Sequence, residues 1–359
     1  MGQLRQVRSR APLRMSLAGG GTDVSPYTEQ YGGAVLSVTI NRYAWCTISA
    51  SETDEITVRS LDLDSVTTFG ASTIPTFDGN LDLVKAVFRR LSVPQLRGMR
   101  VVLQTDAPPG SGLGSSSALV VATISALSTY FGLDLVPQEI ARVAYVVERE
   151  DLGIAGGMQD QYAAAFGGFN VIEFSRAGVE VFPLLLGQAM RHELESHVLL
   201  CFTGETRASG GILDRQIRNV SLRRTDTMAA LHRLKELVVE LRRALYAEDL
   251  ATVALLLDEA WRAKKGLTEG ISAPQLEAIH AVAKEHGALG GKLLGAGGGG
   301  YFLFLVDPEH RQDAAAALRS LGATVSVGVE FCDDGVSSWE IPRVRDCLPD
   351  AFSAVRVMC

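Results

Sequence analysis

The sequence predicts an α+β protein of two lobes, and three observations carry the expectation. At 359 residues the chain is about two to three times the usual domain length. Its first third is rich in β-branched and aromatic residues. Its last third passes from a glycine-rich turn to a strand, a helix and a further strand, a βαβ-like finish. With 47% apolar and 21% charged residues, the composition is that of a folded globular chain.

In chain order, residues 34–50, 55–61 and Met99–Thr105 read as strands. Residues 115–130 are apolar, contain small residues and lack a breaker, which predicts a mostly buried helix beginning at the serines. Helices at 140–150 and 158–165 follow, separated by Gly153, Gly156 and Gly157, and then strands near 170–174, 179–185 and 197–202. A lobe boundary is expected near 186–196, giving an N-terminal lobe over 1–190 and a C-terminal lobe over 191–359. In Thr225–Tyr246, Leu231, Leu234, Val238, Leu241 and Leu245 recur at spacings of three and four, the period of an amphipathic helix. Leu250–Lys265 and Pro274–Glu285 read as further helices, then Tyr301–Val306 as a strand, 308–321 as a helix and 324–331 as a strand.

The charge balance limits the partners. A net charge of −7 disfavours nucleic acid and anionic membrane, which select basic surfaces, so any phosphate must be met by local positive potential. The five cysteines are odd in number and lack CxxC spacing, which fits free thiols in a reducing cytosol rather than disulfides or zinc. Arg5, Arg8, Arg10 and Arg14 precede no apolar leader core, and no 18-residue apolar run occurs, so a cytoplasmic location is expected. His192, His197 and His232 show no ligand spacing and are read as structural.

Glycine gathers in three loops. The stretch APPGSGLGSSS at 107–117 lies between a strand and a helix. Glycines there let the amides turn inward as an anion nest, and the helix start adds unpaired N–H groups and partial positive charge. Phosphate binding at Pro108, Gly110, Ser111, Gly112, Gly114, Ser115, Ser116 and Ser117 follows without a lysine, with one of the three serine hydroxyls facing a metal. A Walker A loop is absent. The run at Gly295 to Gly300 satisfies GxGxxG by letter but precedes a strand rather than a helix, which excludes a dinucleotide fingerprint. That run either packs as a tight turn or closes over the phosphate end.

In the first loop, Arg14 and Asp23 bracket Gly19, Gly20 and Gly21, which suggests a polar pocket in which Asp23 accepts hydrogen bonds from sugar hydroxyls or else stabilises its own turn. Glu148 and Asp160 form a further acidic pair on either side of a glycine linker. Asp160 suits a general base or an orienting anion and Glu148 a magnesium ligand, although each is also an ordinary type of surface or cap carboxylate.

Taken together and in this order, PPGSGLGSSSA and LLGAGGGGYFLF resemble the second and third motifs of the GHMP kinase superfamily, a likeness that runs from Arg10 to about Phe331. Within it the match is to the D-glycero-D-manno-heptose 7-phosphate kinases, on APLRMSLAGGGTDV, YGGAVLSVTINRY, GGMQDQYAAAFGGFN and KKGLTEGIS. Only Thr22-Asp23 is shared with the galactokinase signature, which counts against galactose.

The resemblance implies an N-terminal lobe like ribosomal protein S5 domain 2, an α+β C-terminal lobe and an active site in the cleft between them. By position it implies Asp160 as the catalytic aspartate, Arg14 beside the transferred phosphoryl group, and Ser116 and Glu148 on Mg2+. It also implies Gly20, Gly21, Thr22 and Asp23 at the sugar. For a phosphate already on the substrate the sequence offers Arg207, Lys264 and Lys265 as cationic candidates, the lysine pair being equally of the kind found on a solvated helix face. The expected activity is ATP-dependent phosphorylation of the anomeric hydroxyl of a heptose 7-phosphate, giving the 1,7-bisphosphate, by a monomer or homodimer. A 1-kinase for a free fucose- or galactose-like sugar and a catalytically silent sensor are the alternatives.

Overall fold

The computed structural model describes residues 5–92, 98–206 and 210–342. The chain opens with β1 (Gln6–Ala18), a short α1 (Tyr27–Tyr31), β2 (Gly33–Ala50), β3 (Glu55–Ser60), β4 (Ser65–Gly70), α2 (Asp82–Leu91) and β5 (Met99–Thr105). Next come α3 (Ser115–Phe131), α4 (Pro137–Val146) running into a π turn at Val147–Asp151, α5 (Gln159–Phe166), β6 (Phe169–Ser175) and β7 (Gly178–Pro183). The second half holds α6 (Gln188–His197), β8 (Val198–Phe202), α7 (Gly210–Ser221), α8 (Thr225–Tyr246), α9 (Leu250–Lys265) and α10 (Pro274–Glu285). It ends with β9 (Ala288–Leu293), β10 (Tyr301–Val306), α11 (Arg311–Ser320), β11 (Thr324–Ser326) and β12 (Ser337–Glu340).

The strands form an eight-stranded sheet, in the order β12-β1-β2-β5-β3-β4 with β6 and β7 attached along β2, and a four-stranded sheet in the order β11-β8-β10-β9. The α+β expectation is met. α3 is buried along nearly its whole length, from Ser115 and Ser117 through Val121, Ile124 and Leu127, because it packs on β1 and β2 beneath α4 and α5. A helix apolar on all sides is the form such a central position requires.

Several elements differ from the sequence reading. The βαβ-like finish is split: β10 and β11 both pair with β8, antiparallel, so β8 lies between them. The strand expected over 324–331 stops at Ser326, and Gly328 takes φ +72° before Phe331 bridges to Ile40. The helix expected from 308 begins at Arg311, because Asp307 folds the preceding turn by accepting from the backbone N–H of Glu309 and of His310. β1, β4, β9 and β12 and helices α1, α2, α6 and α7 add to the expected set, and α6 occupies most of 186–196. β12 returns to the first sheet by pairing with β1, Val7–Arg10 against Ser337–Glu340. Among the described residues, no helix is long and apolar enough to cross a membrane.

Candidate active site

The three glycine loops meet in one cleft of about 220 Å3. One wall comes from the end of β1 and its turn, the start of α3, the π turn and the start of α5; the other comes from α7, the end of α9 and residues 295–299.

The phosphate loop has the geometry its glycines allow. Gly110, Gly112 and Gly114 take φ of +74°, +87° and +76°, values that L side chains resist. The first α3 backbone bond runs from Ala118 to Gly114 at 2.9 Å, so the amides of Ser115 to Ser117 open the helix toward the cleft. Gly110, Gly112, Gly114 and the three serines line the cleft. Pro108 and Ser111 build the loop instead: the Pro108 carbonyl accepts from the Ser111 N–H and the Ser115 hydroxyl, both at 3.2 Å, and Ser111 is fully buried.

Arg14, 3% exposed on β1, donates through Nε (2.8 Å) and Nη2 (2.5 Å) to Asp160 Oδ1, and through Nη1 to the Gly112 carbonyl at 2.5 Å. Both bonds to Asp160 end on one oxygen, Oδ1, so Oδ2 takes no part in the ion pair. One guanidinium thus ties the acidic group of α5 to the phosphate loop.

Glu148, buried on the π turn, accepts from the Ser117 hydroxyl at 3.1 Å and from Gln161 Nε2. Burial raises its pKa above the ordinary carboxylate range, against the opposing charge of Arg149 and these hydrogen bonds. The buried Gln161 Oε1 has no hydrogen-bond partner among the described residues. Glu148 and the serine hydroxyls that line the cleft make an all-oxygen donor set, the kind Mg2+ takes when substrate phosphates complete its shell, whereas Gln161 does not line the cleft. Ser116 lines the same cleft, but the serine that bonds Glu148 is Ser117.

The sugar-loop candidates separate. Asp23, 1% exposed, accepts from the N–H of Gly21 (3.1 Å), the N–H of Gln159 (3.0 Å) and Gln159 Nε2 (3.2 Å). Burial raises its pKa, with the Gln159 backbone bond opposing. Gly20, Gly21 and Asp23 line the cleft, whereas Thr22 does not. The Thr22 hydroxyl donates to the carbonyls of Gly19 (2.8 Å) and Ala34 (2.9 Å), so it braces the turn. Gln216 of α7 reaches across the cleft and donates to the Gly21 carbonyl at 3.0 Å.

The last glycine loop packs directly on the phosphate loop. A Cβ on Gly295 would stand 2.5 Å from the Gly112 Cα, and one on Gly300 would stand 2.3 Å from the Ser111 carbonyl oxygen. Lys264 lines the cleft, but its Nζ donates to the carbonyls of Leu293 (2.9 Å) and Gly295, so the amine anchors this loop. Burial, then Lys292 and Arg14, lowers its pKa well below the usual lysine value. Arg207 lies outside the described residues. Sequence reading passed over Arg149, Gln159, Gln161, Gln216 and Lys292; the polar residues of GGMQDQ, set among small neighbours, were the available signal for two of them.

Lys292 makes a measurable prediction. Its buried Nζ donates to the carbonyls of Ser16 (2.7 Å) and Leu17 (3.1 Å), and burial, with Arg14 second, brings its pKa down to about 7. An unfolded lysine titrates near about 10.4. Between those values the unfolded chain holds a proton that the folded chain lacks, so stability rises with pH, by up to about 1.4 kcal/mol per pH unit. Lys292→Met is expected to flatten that rise in urea unfolding followed from neutral to alkaline pH. Parallel slopes for the two proteins would mean that the buried amine keeps its proton.

Sequence models place this cleft in a family. The model of the GHMP kinases N terminal domain matches residues 81–168, and that of the GHMP kinases C terminal region matches 241–324. The D-glycero-alpha-D-manno-heptose 7-phosphate kinase of Campylobacter jejuni is 38% identical over 342 residues, 94% of this chain and 100% of that protein. A crystal structure described as a D-glycero-D-manno-heptose 1-phosphate kinase from Bacteroides thetaiotaomicron superposes with a TM-score of 0.79 at 36% identity, covering 94% of this chain and 100% of that one. The L-fucokinase/L-fucose-1-P guanylyltransferase of Bacteroides fragilis is 29% identical over 88% of this chain but only 36% of its own length. With the likeness to the Campylobacter protein running through all of that protein and the two domain models falling in order, the chain belongs to the GHMP kinase family, among its sugar kinases.

Proposed function

We infer that the enzyme transfers the γ-phosphoryl group of ATP to the anomeric hydroxyl of a heptose 7-phosphate, giving heptose 1,7-bisphosphate and ADP. The observation that carries the transfer is Asp160: its Oδ1 is held by Arg14, its Oδ2 is left for a hydroxyl, and Arg14 also binds the phosphate loop. The substrate class is supported by the full-length relatives, whose names describe kinases of heptose phosphates.

In this reading the amides of Gly110 to Ser117 hold the triphosphate, and Asp23 with Gln159 orients the ring hydroxyls. Asp160 accepts the proton of the attacking hydroxyl as its oxygen bonds to the γ-phosphorus. The bond from that phosphorus to the bridging oxygen breaks, and the electron pair leaves with ADP. Arg14 offsets the charge that gathers on the transferring group. Mg2+, when bound by Glu148 and the serine hydroxyls of the loop, supplies charge neutralisation to the phosphates.

The raised pKa of Glu148 has a consequence for the metal. Mg2+ takes the ionised carboxylate, so its affinity is expected to climb as pH rises through the folded-state pKa. Titrations of Mg2+ against the nucleotide-free protein at several pH values check this, and affinity independent of pH would remove Glu148 from the metal site.

Phosphorus NMR of the protein with Mg2+, ATP and a panel of sugars tests the reaction itself. A new anomeric phosphate signal is expected from heptose 7-phosphate. A signal from free sugars alone would favour the second reading, a free-sugar 1-kinase, for which the Bacteroides fragilis relative speaks. Turnover of a heptose 1-phosphate instead would put the transferred group at the other end of the sugar.

A further inference from the structure

Three cations line the cleft among the described residues: Arg14, Lys264 and Arg149. Arg14 is engaged by Asp160 and the Gly112 carbonyl, and Lys264 by two carbonyls of the β9 end. Arg149 differs. Its Nε donates to the Gly157 carbonyl at 3.1 Å and its Nη1 to the Ile154 carbonyl at 3.3 Å, while Nη2 has no hydrogen-bond partner among the described residues. No carboxylate lies within ion-pair distance of it among the described residues. Neighbouring Glu148 is already engaged by Ser117 and Gln161.

The local backbone is built around this side chain. Arg149 sits in the π turn, where the Leu152 N–H bonds to the Val147 carbonyl at 3.2 Å; the wider turn leaves Glu148 and Arg149, consecutive residues, both on the cleft wall. A Cβ on Gly156 would stand 2.5 Å from Arg149 Cζ and 2.6 Å from Nη2, so the guanidinium lies directly on that glycine. A Cβ on the next residue, Gly157, would stand 1.9 Å from Asp23 Oδ2. Two successive glycines thus seat two cleft side chains, a hydroxyl acceptor and a fixed cation, side by side.

We propose that Arg149 binds the phosphate group that the sugar already carries and thereby selects a sugar phosphate over a free sugar. Main-chain carbonyls hold two of its three nitrogens and fix its plane, and the third, Nη2, is left to donate to an oxygen of a phosphate dianion. A sugar whose hydroxyls meet Asp23 presents its substituents next to this fork. The proposal rests on the reading that the substrate is a sugar phosphate.

The test compares wild type, Arg149→Gln and Arg149→Lys for KM and kcat on heptose 7-phosphate and on the same heptose without phosphate, with KM for ATP measured alongside. Arg149→Gln is expected to lower the preference for the phosphorylated sugar roughly 100-fold, the loss showing in its KM, since hydrogen bonds between charged groups are the strong ones. Arg149→Lys, which keeps the charge but loses the fork, is expected to fall between. An equal loss on both sugars would give Arg149 a merely structural role, and a rise confined to the KM for ATP would place it on the nucleotide; either overturns the proposal.

Gly156→Ala, which displaces the guanidinium while keeping the charge, is expected to move the preference the same way. Should the variants fail to fold, phenylglyoxal modification of the wild type gives an independent answer: heptose 7-phosphate without ATP is expected to shield Arg149 in the peptide map, and no shielding overturns the assignment. A wild type inactive on every sugar phosphate would sink the reading of function. A wild type active on heptose 7-phosphate whose preference survives Arg149→Gln would sink this proposal alone.

Discussion

Asp160→Asn is expected to lower kcat by about 10³-fold, within the range a positioned proton acceptor contributes. The amide keeps the shape of the side chain and an oxygen to accept from Arg14, so the variant is expected to fold and to bind ATP with little change. What it loses is the negative charge that orients the attacking hydroxyl and takes its proton. The geometry sharpens the expectation, because Arg14 at 3% exposure spends two donors on Asp160 Oδ1 and holds the carboxylate in one orientation beside the phosphate loop. Steady-state turnover on heptose 7-phosphate, with thermal melts as a control on folding, checks it. Turnover within tenfold of wild type would show that Asp160 neither accepts the proton nor orients the hydroxyl.

The second large effect is expected from Gly295→Ala. The added methyl would meet the Gly112 Cα at 2.5 Å, and residue 295 takes φ +69°, so the change introduces both overlap and backbone strain. Neither contact partner is the end of a flexible side chain, so relief requires one glycine loop to move off the other. A stability loss of about 2–4 kcal/mol is expected, combining the cost of the strained φ with that of overpacking. The KM for ATP should rise with it, because the displaced segment is the phosphate loop. Denaturant unfolding and nucleotide titration read the two effects separately. A variant with wild-type stability and ATP affinity would mean that the two loops do not depend on each other's position.

The ease of reading each part of the chain has physical causes. α8, α9, α10 and β10 begin and end where their side-chain periods do, because each buries one face or two and its sequence repeats accordingly. β1 carries six charged or polar residues and Pro12 within a strand that pairs on both sides. A proline is tolerated there because the pairing register with β2 shifts at Pro12/Leu13, a feature that only the partner strand reveals. β9 includes Gly290 and Gly291, poor strand formers. A Cβ at 290 would meet the Ala254 carbonyl oxygen at 1.9 Å and one at 291 the Phe304 ring at 2.3 Å, so glycine is demanded by α9 and β10 packing on this strand. Local propensity carries no record of such a demand.

The same division runs through the site. By itself the sequence determined the α+β class, the three glycine loops in order and the acidic and basic residues set among them, since a phosphate cradle needs glycines and a helix start that are contiguous in the chain. It also carried the resemblance that the comparisons bear out. Tertiary structure decided which of those groups face one another: Asp160 on Arg14, Ser117 on Glu148, Thr22 on its own turn, Lys264 on the glycine loop, and Arg149 on Gly156 with Nη2 left to donate. Those pairings join residues up to 146 positions apart, or depend on a π turn and on the absence of a Cβ. They follow from where the sheets and helices bring the chain together, which no local pattern of residues encodes.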